Sequence, residues 1–128
     1  MRIVKFRVYN DLLKNYLPDD SVCILPNGDI VLYNLAAMIA AYKRPSDMLE
    51  GENTVERFTD LKDKNGVNIY EGDILIDDTG EPIEYWVVKF SDGGFVGECA
   101  GVAEALFELT NLEVVGNIHK NPELVEEK

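Results

Sequence analysis

One histidine, His119, and two cysteines, Cys23 and Cys99, set the nucleophilic and metal chemistry open to this 128-residue chain. Any Ser–His or Cys–His arrangement has to use His119, because there is no other imidazole. Cys23 sits among β-type residues and Cys99 in a glycine-flanked segment, and neither carries a local nucleophile signature. Both read as core thiols, and His119 as an edge histidine. One histidine and two distant cysteines exclude the common zinc spacings. Asp63-Lys64-Asn65-Gly66 mimics part of a calcium loop. Aligning Gly66 with that loop's invariant glycine puts Leu61 at the first ligand position and Gly72 at the last, where carboxylates are required. The tetrapeptide is expected to form an Asx-turn in a hairpin instead. Neither of the glycine-rich phosphate-binding patterns occurs, and Gly93, Gly94 and Gly97 read as turn and bulge glycines.

Paired carboxylates are the remaining route to catalysis. Glu71 and Asp73 flank Gly72, and Asp77 neighbours Asp78. With 24 acidic residues such pairs arise by chance, and they read as solvated surface. Tyr33, Tyr42, Tyr70, Tyr85 and Trp86 are the aromatics that would make a binding face, but on short elements they read as core or rim. The expectation is therefore no catalytic residue, no metal ligand, no cofactor and no enzymatic activity, with binding residues left unassigned.

Charge narrows the partners. The net charge is −12, and it is uneven: residues 1–57 carry seven Lys/Arg against eight Asp/Glu, and residues 58–128 carry five against sixteen. A field of −11 over the second part repels phosphate backbones, so direct nucleic-acid binding is disfavoured. The longest apolar block, Leu35 to Tyr42, is less than half of the ~18–20 residues that span a bilayer. The start, Met1 to Arg7, intersperses charges with apolar residues, unlike a signal peptide. No membrane association, a start near Met1, a cytoplasmic address and two reduced thiols are the expectations.

The elements that would position these groups are mostly strands. Residues 2–9 alternate, with Val4, Phe6 and Val8 on one face and Lys5, Arg7 and Tyr9 on the other. Asp11 to Asp20 reads as a loop or helical turn. Val22–Leu25 and Ile30–Tyr33 flank Asn27-Gly28, a strong hairpin signal. Leu35 to Tyr42, between Asn34 and Pro45, is expected to be a short helix. Val55–Phe58 should be extended, Lys64–Gly66 a turn and Ile74–Ile76 a strand. Tyr85–Phe90 should place Trp86, Val88 and Phe90 on one face, shared with Ile74 and Ile76. Ala103–Leu109 is expected to turn helically, Leu112–Ile118 to alternate with Leu112, Val114 and Ile118 inward, and Pro122 to open a terminal helical turn. The resulting fold class is mostly β: two small all-β subdomains, 1–53 and 54–128, joined by a short helical connection, the second a small, SH3-like barrel.

The segment Phe58-Thr59-Asp60-Leu61-Lys62-Asp63-Lys64-Asn65-Gly66-Val67-Asn68-Ile69-Tyr70-Glu71-Gly72-Asp73-Ile74 closely resembles the signature of the YopX family. Val114 to Leu124 resembles that family's tail, and Lys5-Phe6-Arg7-Val8-Tyr9 its start. Asp60 stands where the family usually has glycine, and His119 where it usually has tyrosine. The resemblance implies a phage or prophage protein of two all-β subdomains in the cytoplasm of a bacterial host cell, and it assigns no catalytic residue. In Glu71-Gly72-Asp73 the glycine is expected to let the backbone turn sharply while the carboxylates cap exposed N–H groups. The functional expectation is a non-enzymatic interaction module that forms a homo-oligomer and binds a host or phage protein. The alternative is an acidic DNA mimic that inhibits a nucleic-acid-binding protein.

Overall fold

The computed structural model of the chain describes residues 6–17, 22–24, 30–32 and 52–126, with 22–24 and 30–32 described by their backbone alone. Two compact units divide between Glu56 and Arg57.

The first unit contains β1 (Phe6–Asn10), β2 (Asn15–Tyr16), β3 (Val22–Ile24), β4 (Ile30–Leu32) and the opening residues of β5 (Asn53–Lys62). β3 and β4 pair antiparallel, Val22 opposite Leu32 and Ile24 opposite Ile30, as the hairpin signal requires. The Asn27-Gly28 turn, the helix expected at 35–42 and the side chain of Cys23 lie outside the described residues. The segment read as a loop after β1 contains a second hairpin: Asn10 pairs with Asn15 and Tyr9 with Tyr16. Asn10 closes it by accepting the N–H groups of Leu12 and Leu13 at 3.0 and 2.9 Å on its side-chain oxygen. Tyr9, expected on the polar face, is buried with Val8 and Leu17, because Tyr16 across the ladder offers an edge-to-face ring at 5.2 Å. Glu56 is only 3% exposed. Its carboxylate accepts from Arg7 Nε and from the Tyr16 hydroxyl, each at 2.9 Å, which compensates its burial.

The second unit contains the later residues of β5, then β6 (Asn68–Tyr70), β7 (Asp73–Asp77), β8 (Glu84–Ser91), β9 (Gly94–Cys99), β10 (Val102–Ala105) and β11 (Glu113–Asn117). Five strands in the order β10-β9-β8-β7-β11 form one antiparallel sheet, curled as a half-barrel, which is the form the expected small barrel takes. Ile69, Leu75, Trp86, Val88, Leu106, Leu109 and Leu112 make its core. Helix among the described strands and turns is confined to short 3₁₀ turns such as Leu106–Glu108 and Pro122–Leu124. No helix among the described residues is long and apolar enough to cross a membrane.

The register corrects three expectations. Trp86 is buried, but it lies opposite Leu75, so it shares its face with Leu75 rather than with Ile74 and Ile76. A slip of one residue in pairing exchanges the two faces, and the all-apolar run Ile74–Ile76 does not mark which face is inward. Phe90, on the Trp86 parity, is 42% exposed near the end of β8. In β11 a bulge between Val114 and Gly116 breaks the alternation, leaving Ile118 largely exposed while Leu112 and Val114 pack inward. Ala103–Leu109 begins as β10 and becomes helical only for the single turn from Leu106. Ala100 and Gly101, both at positive φ, form a two-residue hairpin turn that commits the chain to pairing with β9 before helix propensity can act.

Gly97 departs from the turn or bulge role its sequence neighbourhood suggests. It is a mid-strand residue paired with Val88, and a Cβ there would run into the Leu109 side chain while only touching Trp86. Gly72 behaves as expected, with φ +86. Its N–H donates to Val88 O, and its carbonyl accepts from Ile118 N–H, both at 2.9 Å.

Candidate functional site

The alternation of β8 divides its side chains between two roles. Trp86 and Val88 fill the core, and Tyr85, Val87 and Lys89 point to the other face of the sheet. There they help line a groove of about 650 Å³. Ile83 stands just before β8, 51% exposed, and Ile118, Leu124 and Val125 complete the lining. The C-terminal turn reaches this position because Asn117 and Asn121 bind reciprocally. Asn121 N–H donates to Asn117 O at 2.8 Å, and Asn117 N–H donates to the Asn121 side-chain oxygen at 3.2 Å. Gly116 makes this possible, since a Cβ there would overlap the Asn121 side chain.

The groove carries one ion pair and one thiol. Lys89 Nζ meets Glu98 Oε1 at 3.1 Å across the β8–β9 ladder, with both side chains about half exposed. Cys99 is a free, half-buried thiol whose Sγ points to Glu84 Oε2 at 3.9 Å. Burial, and then the negative charge of Glu84, push its pKa up. The group is therefore a protonated thiol at neutral pH and a poor nucleophile. Chemically this surface offers apolar contact, one exchangeable charge pair and the further carboxylates of Glu84 and Glu126.

The signature segment carries structural work. Asp63 is buried, and its carboxylate accepts three backbone N–H groups: Asn65 at 2.8 Å, Val67 at 2.9 Å and, from β11, Val114 at 2.9 Å. Burial acts to raise its pKa, but these three donors and the charge of Lys64 outweigh it and hold the carboxyl below the usual aspartate range. This is the Asx-turn expected from the sequence, with an added clasp on β11. Glu71 accepts from Arg57 N–H and Arg57 Nε at 2.9 and 2.6 Å, and Asp73 accepts from Tyr70 N–H at 2.8 Å. The two carboxylates beside Gly72 thus cap backbone donors as expected, and Asp73 is buried rather than solvated. Asp77 turns to Thr79, which lowers its pKa through the side-chain and backbone hydrogen bonds, and Asp78 is exposed.

His119 is half-buried in the turn after β11, with its backbone N–H bound to Asn117 Oδ1 at 3.0 Å. Tyr70 packs on Phe58 with ring centroids 5.5 Å apart. Tyr33 and Tyr42 lie outside the described residues. Among the described residues no group of three or more His, Cys, Asp or Glu side chains is arranged to hold a metal. Sequence reasoning missed Arg57, whose guanidinium lies 4.1 Å from the Phe90 ring centroid and 5.6 Å from that of Phe95 while Glu71 grips it. That cover accounts for the exposed Phe90. The available signal was Phe90 and Phe95 flanking the Asp92-Gly93 turn, which makes them cross-strand partners.

No curated protein matches the chain. Among solved structures it is similar to the crystal structure of protein EF1440 from Enterococcus faecalis, at 26% identity and a TM-score of 0.60, over 97% of this chain and 99% of that one. The family model described as YopX protein matches residues 5–126, a span that takes in the Asp63 clasp, the Gly72 junction and the Asn117–Asn121 turn, and the chain belongs to the YopX family.

Proposed function

We propose that this YopX-family chain is a non-enzymatic interaction module that self-associates and binds a host or phage protein. The observation that supports this is the groove on the outer face of the five-stranded sheet. Ile83, Tyr85, Val87, Ile118, Leu124 and Val125 present apolar surface around the Lys89–Glu98 pair. A second copy is the occupant it suits. Opposite charges side by side are self-complementary under a two-fold axis, because each Lys89 can meet the other copy's Glu98. Apolar surface around them supplies the driving force. The protonated Cys99 thiol fits a contact surface better than a reaction centre.

The interaction reading gains over the DNA mimic from the placement of the acids. Asp63 and Asp73 are buried on backbone donors, Glu71 grips Arg57, and Glu98 pairs with Lys89. A mimic has to leave its charges unpaired until it meets a basic target.

Sedimentation of the full chain tests the reading. The expected result is a defined oligomer at micromolar concentration that Ile83→Asp, at an exposed side chain outside the core, dissociates. A wild-type chain that stays monomeric throughout that range would sink the self-association claim.

A further inference from the structure

We propose that the free edge of β10 is a strand-addition site for an extended, basic segment of a partner protein. This rests on the interaction-module reading and locates the partner's seat away from the groove. The two ends of the five-stranded sheet are finished differently. At the β11 end, Val114 N–H is taken by Asp63 and Lys64 N–H by Leu112 O, and the bulge at Gly116 interrupts the ladder. That edge is closed to a further strand. At the other end, β10 has β9 on one side and, among the described residues, no strand on the other. Its outward N–H and C=O groups, from Val102 to Ala105, have no ladder partner among the described residues, and such groups are a template for another extended chain.

A second cleft, of about 450 Å³, lies against this edge. Phe95, Val96, Ala103, Ala105 and Phe107 give it apolar walls. Phe107 is 68% exposed and Val102 54%. A strand laid along β10 sends alternate side chains to one face, so one set of its residues can enter this cleft. The rim is acidic. Asp92 and Glu104 line the cleft, and Glu108 is exposed beside Phe107. Arg57 is the cation that approaches Phe95, and Glu71 holds it. The surrounding half of the chain carries −11. A segment that alternates basic and apolar residues complements this edge in hydrogen bonding, shape and charge. A second copy does not, because edge-to-edge pairing would bring Glu104 toward its own counterpart, and like charges across a ladder are destabilising.

The test is titration of the ¹⁵N-labelled full-length chain with a capped heptapeptide of alternating lysine and valine. The expected result is amide shift changes confined to β9, β10 and Phe107, with affinity falling about tenfold between roughly 50 and 300 mM NaCl. Glu104→Lys and Phe107→Ala should each weaken binding by about tenfold, and a glutamate–valine peptide should not bind. Should Phe107→Ala fail to fold, Glu104→Lys alone carries the test. Shift changes mapped to Tyr85, Val87 and Ile118, equal binding of the glutamate peptide, or no binding at all would overturn the proposal. So would concentration-dependent shifts at Val102–Ala105 without peptide, which would identify a second copy as the occupant. Failure here with self-association intact refutes only the β10 site. Loss of self-association with the peptide still bound at β10 refutes only the groove.

Discussion

Asp63→Asn isolates what the signature aspartate contributes. The substitution keeps size and shape, and it keeps the oxygen that accepts from Asn65 and Val67. The second oxygen becomes an NH₂ facing Val114 N–H, so two donors oppose each other at a site that is 6% exposed. Losing one charge-assisted bond and stranding a buried N–H should cost about 2–3 kcal/mol, and Asp63→Ala, which removes all three bonds, about 3–5. Trp86, the sole tryptophan, is buried in the same unit and reports urea unfolding by its fluorescence. The pH dependence adds a second, independent readout. The folded carboxyl has a lowered pKa, so the unfolded state binds the proton more readily. The stabilisation is therefore fully present above the unfolded value of ~3.9 and is lost as pH falls through the folded pKa. The gap between wild type and Asp63→Asn should be constant from neutral pH down to about pH 5 and shrink below ~4. Other carboxylates, such as Asp77, cancel in that difference. Equal stability of the two proteins at pH 7, or a gap unchanged by acid, would refute the account of Asp63 as a charged clasp.

Gly72→Ala places a side chain on a backbone at φ +86 and should cost about 1–2 kcal/mol in urea midpoint analysis; an unchanged midpoint contradicts the need for glycine there. Gly97→Ala drives a methyl group into Leu109, which shares the core cluster with Trp86, and should cost about 1–3 kcal/mol, with a shift in Trp86 emission; a neutral outcome means the Leu109 side chain has room to move. Asp60→Gly runs the other way. Asp60 sits at φ +67, where the pairing of β5 with β6 shifts register between Phe58 and Lys62, so glycine should leave the melting temperature unchanged or raise it, by up to about 1 kcal/mol in stability, and a clear loss would show that the Asp60 side chain stabilises that irregularity.

What the sequence revealed follows from how local each signal is. The Asp63 turn, Gly72 and the Asp92-Gly93 hairpin turn after β8 depend on conformational limits of one or two residues. The turn at Ala100-Gly101 nevertheless passed unnoticed, because alanine rarely adopts positive φ and gives no warning there. The faces of β7 were misassigned because Ile74, Leu75 and Ile76 are all apolar, and pairing across to Trp86 decides which side is inward. The β11 bulge depends on Asn121 folding back over Gly116, a contact that no alternation pattern encodes. The groove was illegible for a related reason. It joins odd-numbered residues of β8 to Leu124 and Val125, which come together only through the Asn117–Asn121 turn. The edge of β10 was hidden because the segment has helical composition and became a strand by its position after a hairpin.

Glu71 and Gly72 also bear on the order of events when the chain is made. In two consecutive residues the backbone bonds to Arg57, to Val88 and to Ile118. Those partners come from β5, β8 and the turn after β11, so no local loop closure can assemble the junction. Of these partners Ile118 leaves the ribosome last. Until then the backbone groups it satisfies stay open to water, and the C-terminal unit is expected to close in one late step rather than strand by strand during synthesis. In refolding experiments this places Gly72 outside the early nucleus. Gly72→Ala should accelerate unfolding and leave the folding rate nearly unchanged, so the junction acts as a latch on the lifetime of the folded state more than as a guide to reaching it.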